Sequence, residues 1–204
     1  MRKVDHDSRR QEVAEAAARL IGREGLEALT TRALAKELGC SIGVLSHYFN
    51  SKEEIVIAAF QWADQRIDAR MQEAIAGNDP HLDDFFPVIK AGLPLNEESD
   101  LEWRVRLNLH TFALTHGESL KTVREKDAQF RDLMLMMIAD MQRKGRLRDD
   151  IDAQIVTDTA FDLVIGMAQN LVKTPMAGRE ARSEYLFGLI ELLRPLSSNV
   201  AKSA

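Results

Sequence analysis

Apolar residues recur every three or four positions along most of this 204-residue chain, a spacing that predicts amphipathic helices. Glycine or proline follows the last apolar residue of most of these segments, where helices usually end. The pattern predicts nine helices with approximate bounds 8–24, 31–38, 42–48, 51–76, 82–91, 101–115, 118–144, 152–173 and 177–193. No β-rich segment of useful length interrupts them, so the predicted fold class is all-α.

The stretch Thr30–Lys52 contains two short predicted helices joined by a tight turn. Thr30 or Thr31 can cap the first helix, because a threonine oxygen accepts a hydrogen bond from an unpaired amide of the first turn. Gly39 ends that helix, since glycine adopts the left-handed conformation of such a turn without steric cost. Ser41 can cap the second helix. Two helices around a glycine-containing turn predict a helix-turn-helix motif, whose second helix fits the major groove of DNA.

Charge is distributed unevenly along the chain. The net charge is −5, which argues against a wholly basic nucleic-acid binder. Residues 1–60 carry nine Lys or Arg and nine Asp or Glu, so the acidic excess belongs to the rest of the chain. A neutral N-terminal part is compatible with a DNA reader that uses a few well-placed phosphate contacts.

Cysteine usage and hydropathy indicate the compartment. The single cysteine, Cys40, excludes an internal disulfide and fits a reducing cytoplasm. No apolar run approaches the ~20 residues that a membrane-crossing helix needs. The charged start MRKVDHDSRR is followed by no apolar signal segment. We therefore expect a cytoplasmic protein with no membrane partner.

The residues LTTRALAKELGCSIGVLSHYFNSKEEI, preceded by a helix ending in GREGLEA, resemble the DNA-binding domain of the TetR family of bacterial repressors. This resemblance covers about residues 8–60. It depends on the helix-turn-helix spacing, the aromatic HYF, the lysine two residues beyond Asn50 and the long helix that follows. The segment GLPLNEESDLEWRVRLNLHTFAL, together with Ser46 in LSHYF, resembles the betaine-pathway (BetI-type) subgroup of these repressors.

The family resemblance implies two domains and three partners. Residues 1–52 would form the helix-turn-helix DNA-binding domain, and residues 53–204 a helical domain for ligand binding and dimerisation. A long linking helix, about 51–76, would join them. The implied partners are a double-stranded palindromic DNA operator, a small-molecule effector, and a second copy of the chain that pairs through about 152–173 and 177–194. Those last two helices are apolar over more than one face, which favours such pairing.

The resemblance also assigns the DNA contacts residue by residue. They are Thr31, Arg32, Ser41, Ile42, Gly43, Val44, Ser46, His47, Tyr48 and Lys52. Thr31 and the last two residues of this list would hold backbone phosphates. The apolar members offer a base no side-chain hydrogen bond, although they can touch a thymine methyl or let the backbone approach. We therefore expect polar readout from Arg32, Ser46 and His47.

Bulky apolar residues of the C-terminal part are candidates to line an effector cavity. They are Trp62, Trp103, Phe112, Phe130, Met134, Met137 and Phe161. Methionine and aromatic side chains suit adaptable recognition, whereas the competing interpretation makes each an ordinary core residue. Trp103 with Asp100 or Glu102 would suit a cationic ligand. The alternative for these carboxylates is a solvated position at a helix start.

Motifs of enzymes and metal sites do not appear in the sequence. It has no Ser/His/Asp order, no glycine-rich phosphate loop and no Cys/His zinc spacing. His110 and His116 are six residues apart, so one helix face cannot easily present both to a metal. We expect no catalytic residue, cofactor or metal. The alternative function is a helical binding module for a small molecule or protein, in which DNA reading is not the main role.

Overall fold

The computed structural model describes residues 2–77 and 86–191, and within these ranges the regular structure is helical. The described helices are α1 Arg2–Glu24, α2 Thr31–Glu37, α3 Ile42–Tyr48, α4 Lys52–Gly77, α5 Phe86–Gly92, α6 Glu97–Ala113, α7 Gly117–Arg143, α8 Ala153–Lys173 and α9 Met176–Glu191. A single 3-10 turn, Leu26–Ala28, precedes α2. The predicted all-α fold is confirmed. Residues 82–85 of the fifth predicted helix lie outside the described residues.

Two predicted helix starts are wrong. α1 begins at Arg2, so the helix extends further toward the N-terminus than its apolar stripe indicates. α6 begins at Glu97 because Asn96 and Ser99 cap it reciprocally. Asn96 Oδ1 accepts from the Ser99 amide at 2.9 Å, and Ser99 Oγ accepts from the Asn96 amide at 3.2 Å. This capping box supplies hydrogen-bond acceptors for two backbone amides that a helix start otherwise leaves unpaired. The first turn that it adds to α6 has no apolar periodicity, so the sequence pattern did not include it.

Buried apolar side chains form two clusters along α4. The first joins α1, α2, α3, the first half of α4 and one face of α6, with its most buried members at Ile21, Leu34, Leu45, Phe60 and Leu109. The second joins the rest of α4 to α5, α7 and α8, with Val88, Met134, Ile138, Ala168 and Leu171 at its centre. Burial of one large aliphatic or aromatic side chain stabilises a fold by about 1.5–3 kcal/mol. The helix-turn-helix is therefore packed onto α4 and α6 rather than held by a loose linker.

Three specific contacts fix the N-terminal helices against the C-terminal ones. α1 and α6 approach so closely that a Cβ at Gly22 would lie 2.6 Å from Leu101 Cγ. The Leu26 amide donates to Asn108 Oδ1 at 3.3 Å. At the start of α4, Glu53 Oε1 accepts from the Ser119 amide at 2.9 Å and from its hydroxyl at 3.0 Å. These hydrogen bonds lower the pKa of Glu53, since they favour its charged form.

Candidate functional site

Local hydrogen bonds and a glycine turn set the geometry of α2 and α3. Thr30 Oγ1 accepts from the Ala33 amide at 3.1 Å, so Thr30 rather than Thr31 caps α2. Gly39 has a φ of +62°, the left-handed conformation expected for this turn. Ser41 occupies the N-cap position of α3 but makes no capping hydrogen bond with its side chain. Its hydroxyl is therefore available to an external acceptor or donor.

The outward face of α3 carries most of the predicted DNA contacts. Leu45 and Phe49 point inward and are 2% and 5% exposed. Nine of the ten predicted DNA contacts are exposed, and Tyr48 is half-buried. Ile42 and Val44 stand out because they are large apolar side chains with 45% and 37% exposure. An exposed apolar strip on a helix of this motif is suited to thymine methyl groups in the major groove.

Residues of α1 support the C-terminal end of α3. The His6 ring centroid lies 4.8 Å from that of Tyr48 and 6.1 Å from that of His47. Arg10 donates to the Tyr48 carbonyl, and its guanidinium lies 4.3 Å from the Phe49 ring centroid. Arg10 is thus used inside the protein to orient α3. The sequence pattern did not reveal this contact, because 38 residues separate Arg10 from Tyr48.

The first turn of α4 completes the candidate DNA surface. Ser51 Oγ accepts from the Glu54 amide at 3.1 Å, and Glu54 accepts from the Asn50 amide at 2.7 Å. This capping arrangement fixes the chain between α3 and α4. Lys52 is exposed beside it, with Nζ 3.4 Å from the Leu26 carbonyl oxygen. A lysine ammonium at an exposed helix start is well placed for a backbone phosphate.

A cavity of about 210 Å³ lies between α4, α5, α6, α7 and α8. Its apolar walls are Ile67, Met71, Ile75, Ile89, Trp103, Phe130, Leu133, Val164 and Ile165. Its polar groups belong to Asp64, Asp68, Gln72, Arg106, Lys126 and Gln129. Apolar walls with a few polar groups are typical of small-molecule sites. The volume is below the ~300–1,000 Å³ of pockets for drug-sized ligands, which favours a small effector.

Two of the seven predicted effector contacts line this cavity, namely Trp103 and Phe130. Phe161 lies directly behind the wall, with its ring centroid 5.9 Å from that of Phe130. Met134 is 1% exposed in the core, and Met137 is half-buried against the same cluster. These three residues pack in the core, whereas the sequence allowed either a core position or a contact with the effector.

The other two predicted effector contacts lie away from the cavity. The Trp62 ring packs beneath Arg66, whose guanidinium carbon is 4.9 Å from the ring centroid. Phe112 stacks on His116, with centroids 3.5 Å apart. Both belong to the rim of the first core cluster.

The carboxylates beside Trp103 are already paired with arginines. Glu102 is fully buried and accepts from Arg66 Nε at 2.9 Å and from Arg70 Nη1 at 3.0 Å. Asp100 pairs with Arg104 and lies 2.7 Å from Arg179 Nη1. Neither carboxylate is available to a ligand cation, and neither is simply solvated at a helix start. Both interpretations drawn from the sequence were therefore wrong.

The polar wall of the cavity is built around Asp64. This carboxylate is 4% exposed, pairs with Arg106, and lies 3.3 Å from Lys126 Nζ. Arg106 also lies 3.5 Å from Asp127, and its guanidinium carbon is 5.3 Å from the Trp103 ring centroid. These groups come from α4, α6 and α7, so only the tertiary structure brings them together.

The comparisons with known proteins match this geometry. Residues 13–59, which include α2, the turn and α3, match the sequence profile of the bacterial regulatory proteins of the tetR family. The region that contains α2 and α3 is therefore similar to the bacterial regulatory proteins of the tetR family. The HTH-type transcriptional regulator PksA of Bacillus subtilis is 26% identical over 86% of this chain and 84% of that protein. The HTH-type transcriptional repressor AcnR of Corynebacterium diphtheriae is 29% identical over 72% of this chain and 73% of that protein.

Solved structures share the fold of this chain. A TetR-family regulator from Cytophaga hutchinsonii has a TM-score of 0.80 at 19% identity, covering 95% of this chain and 98% of that one. A Saccharomonospora viridis protein in complex with choline also has a TM-score of 0.80, at 21% identity, covering 91% and 96%. PksA is a transcriptional regulator, and AcnR is a transcriptional repressor.

The α8 helix of this chain has an unusual surface. It is the one helix within residues 2–77 and 86–191 that is long and apolar enough to cross a membrane, and 39% of its apolar window is buried inside the chain. Core helices of soluble proteins pass the same test. Ile155 and Leu163 on α8 are 61% and 41% exposed, and Tyr185 on α9 is 75% exposed. Exposed apolar side chains are favoured at interfaces when they form a contiguous patch.

Proposed function

We propose that this chain is a cytoplasmic, ligand-responsive transcriptional repressor that binds a palindromic operator as a homodimer and is released from it by a small-molecule effector. The observation that carries the proposal is the exposed face of α3, supported from behind by α1 and α4. The polar side chains Ser46 and His47 of α3, its apolar strip and Arg32 of α2 would read base edges. Thr31, Tyr48 and Lys52 would hold phosphates.

Dimerisation would place two such faces on one operator. The exposed apolar side chains of α8 and α9 support pairing with the same helices of a second copy as a two-fold bundle. Residues 192–194 of the predicted interface lie outside the described residues. Two-fold symmetry then sets the two α3 helices one DNA turn apart, about 34 Å, or a multiple of it.

The α4 helix is the proposed link between effector and DNA. It begins at the Lys52 phosphate contact, and its residues 64–75 form one wall of the cavity. An effector would favour a conformation in which the two α3 helices have the wrong spacing. The resulting loss of DNA affinity is limited by the difference in effector affinity between the two conformations. The choline complex of the Saccharomonospora viridis protein supports a small ligand for this fold. The BetI-type subgroup stays a prediction.

An affinity measurement with DNA from upstream of the protein's own gene tests DNA reading. We expect sequence-specific, salt-sensitive binding, and a loss of about 10–100-fold for Arg32→Ala if Arg32 makes a base contact worth ~1–3 kcal/mol. Arg19→Ala is the matched control, because Arg19 is exposed on α1 and pairs only with Glu15 among the interactions described for it. If the wild-type protein shows no specific binding, the alternative of a binding module without DNA reading is favoured.

Gly43 offers a second, sharper test of the α3 face. A Cβ at Gly43 would meet nothing closer than Ser41 Oγ at 3.8 Å, so the folded protein itself does not require glycine there. Alanine favours a helix by about 1 kcal/mol over glycine. We expect Gly43→Ala to preserve or raise the melting temperature and yet weaken operator binding by about tenfold or more, because the methyl group blocks close approach to the bases.

The control for this substitution is Gly117→Ala at the start of α7, where an added Cβ meets nothing within 4 Å. Thermal unfolding and operator affinity are measured on both variants. Unchanged operator affinity in Gly43→Ala would show that the α3 backbone does not approach the bases at this residue.

A further inference from the structure

We propose that the effector of this regulator is a small organic cation, and that its positively charged group pairs with the carboxylate of Asp68. This inference depends on the proposed function in one respect, since it takes the α4–α8 cavity as the effector site. It assigns to that site an ion-pairing residue and a ligand class.

Asp68 differs from the other charged residues of the cavity because its charge is not paired. It lies one turn after Asp64 on α4, lines the cavity and is exposed toward it. Asp64 has Arg106 and Lys126 as partners, one for each carboxylate oxygen. Asp68 has no hydrogen bond or ion pair to any residue in the described part of the chain. A ligand can therefore reach this carboxylate without breaking an existing contact.

The charged side chains that line the cavity leave only Asp68 without an ion-pair partner in the described part of the chain. Two carboxylates, on Asp64 and Asp68, and two cations, on Arg106 and Lys126, line the cavity. Both cations pair with Asp64, and Arg106 also lies 3.5 Å from Asp127. His110 on α6 adds no positive charge at neutral pH, because burial and then the charge of Arg106 lower its pKa. An anionic ligand would have to displace Asp64 or Asp127 from these cations. A cationic ligand would instead pair with the unpaired carboxylate of Asp68.

The surroundings of Asp68 make its charge costly in the empty cavity. Burial raises the pKa of Asp68, and the nearby Asp64 carboxylate raises it further, whereas Lys126 and Arg106 act in the opposite direction. A cation bound in the cavity would lower this cost in the bound state only. The rest of the cavity favours a ligand whose uncharged part is mainly apolar. Its walls are apolar except for the amides of Gln72 and Gln129 and the paired charges. A short alkyl ammonium compound meets both requirements.

Isothermal titration of the full-length protein with three ligands of equal chain length tests the charge. The ligands are hexylamine, hexan-1-ol and hexanoate, with choline as a quaternary ammonium probe. We expect at least one of the two cations to bind about tenfold or more tightly than hexan-1-ol, and hexanoate to bind more weakly than the alcohol. In Asp68→Asn the preference for cation over alcohol is expected to disappear, while alcohol binding is unchanged. Glu73→Gln, also on α4 but not lining the cavity, should keep the preference.

The stability of Asp68→Asn separates loss of an ion pair from misfolding. A carboxylate whose pKa is raised by folding makes the folded state bind more protons, so the free energy of unfolding falls as pH rises through that pKa. At neutral pH, Asn removes this cost. We therefore expect a melting temperature equal to or above that of the wild type, together with the loss of cation preference.

Three results would overturn the assignment. They are equal binding of cation and alcohol, tighter binding of hexanoate, or no binding of any of these compounds at millimolar concentration. Retention of the cation preference in Asp68→Asn would place the pairing carboxylate elsewhere. A different result would contradict the proposed function while supporting the site. In that case a cation binds in an Asp68-dependent manner but leaves operator affinity unchanged, so it is not the effector that releases the protein from DNA.

Discussion

Leu163→Arg is expected to convert the proposed homodimer into monomers and to reduce operator affinity about a thousandfold, to the level of non-specific DNA binding. Leu163 is 41% exposed on α8, so an arginine there can reach solvent in a monomer and should not disturb its fold. In a two-fold bundle through α8 and α9 each arginine would be buried against the apolar surface of the other copy, because an isologous interface pairs the same surface of both copies. The cost of desolvating an unpaired charge then opposes dimerisation.

Sedimentation or light scattering gives the mass of the variant, and a gel shift gives its operator affinity. Met136→Arg is the matched control, since Met136 is 64% exposed on α7, outside the proposed interface. The same substitution there should leave both mass and affinity unchanged. A dimeric Leu163→Arg protein would exclude α8 as the core of the interface, and a monomeric Met136→Arg protein would move the interface to α7.

The helix-turn-helix could be predicted from sequence because its signals are local. Thr30 caps α2 by accepting a hydrogen bond from the amide three residues later. Gly39 adopts the left-handed conformation that its turn requires. The inward positions Leu45 and Phe49 follow from helical periodicity. Their opposite face is then the exposed one, which is why five of the six predicted DNA contacts on α3 are found exposed. The start of α6 was missed because its capping box uses Ser99 in place of the usual Glu or Gln.

The cavity could not be predicted in the same way. Periodicity identifies apolar residues on a helix but does not say whether they face another helix or an empty space between helices. Thus Met134 and Phe161 are core residues, while Ile67 and Met71, with the same apolar character, line the cavity. The polar wall of the cavity could not be predicted from the sequence either, because Arg106 is 42 residues from Asp64. Only the packing of α4 against α6 makes them neighbours.

Arg106→Met is expected to reduce the free energy of unfolding by about 3 kcal/mol, which is the lower end of the ~3–5 kcal/mol range for removing one partner of a buried ion pair. Asp64 is 4% exposed and would keep only Lys126, at 3.3 Å. Methionine fills much of the volume of the arginine side chain, so the loss comes from removing one of the two cationic partners of Asp64 rather than from a cavity. For a chain of this length the melting temperature should fall by roughly 6–12 °C.

Chemical denaturation of the single and double variants tests whether the charge of Asp64 causes this loss. Adding Asp64→Asn to Arg106→Met should restore part of the stability, because the buried charge that lost its partner is then absent. Arg19→Met is the surface control, since the exposed pair of Arg19 and Glu15 contributes at most about 1 kcal/mol. If the double variant is no more stable than Arg106→Met, the arginine acts through its packing on Trp103 and Phe60 instead. In that case the polar wall of the cavity contributes to ligand selection more than to the fold.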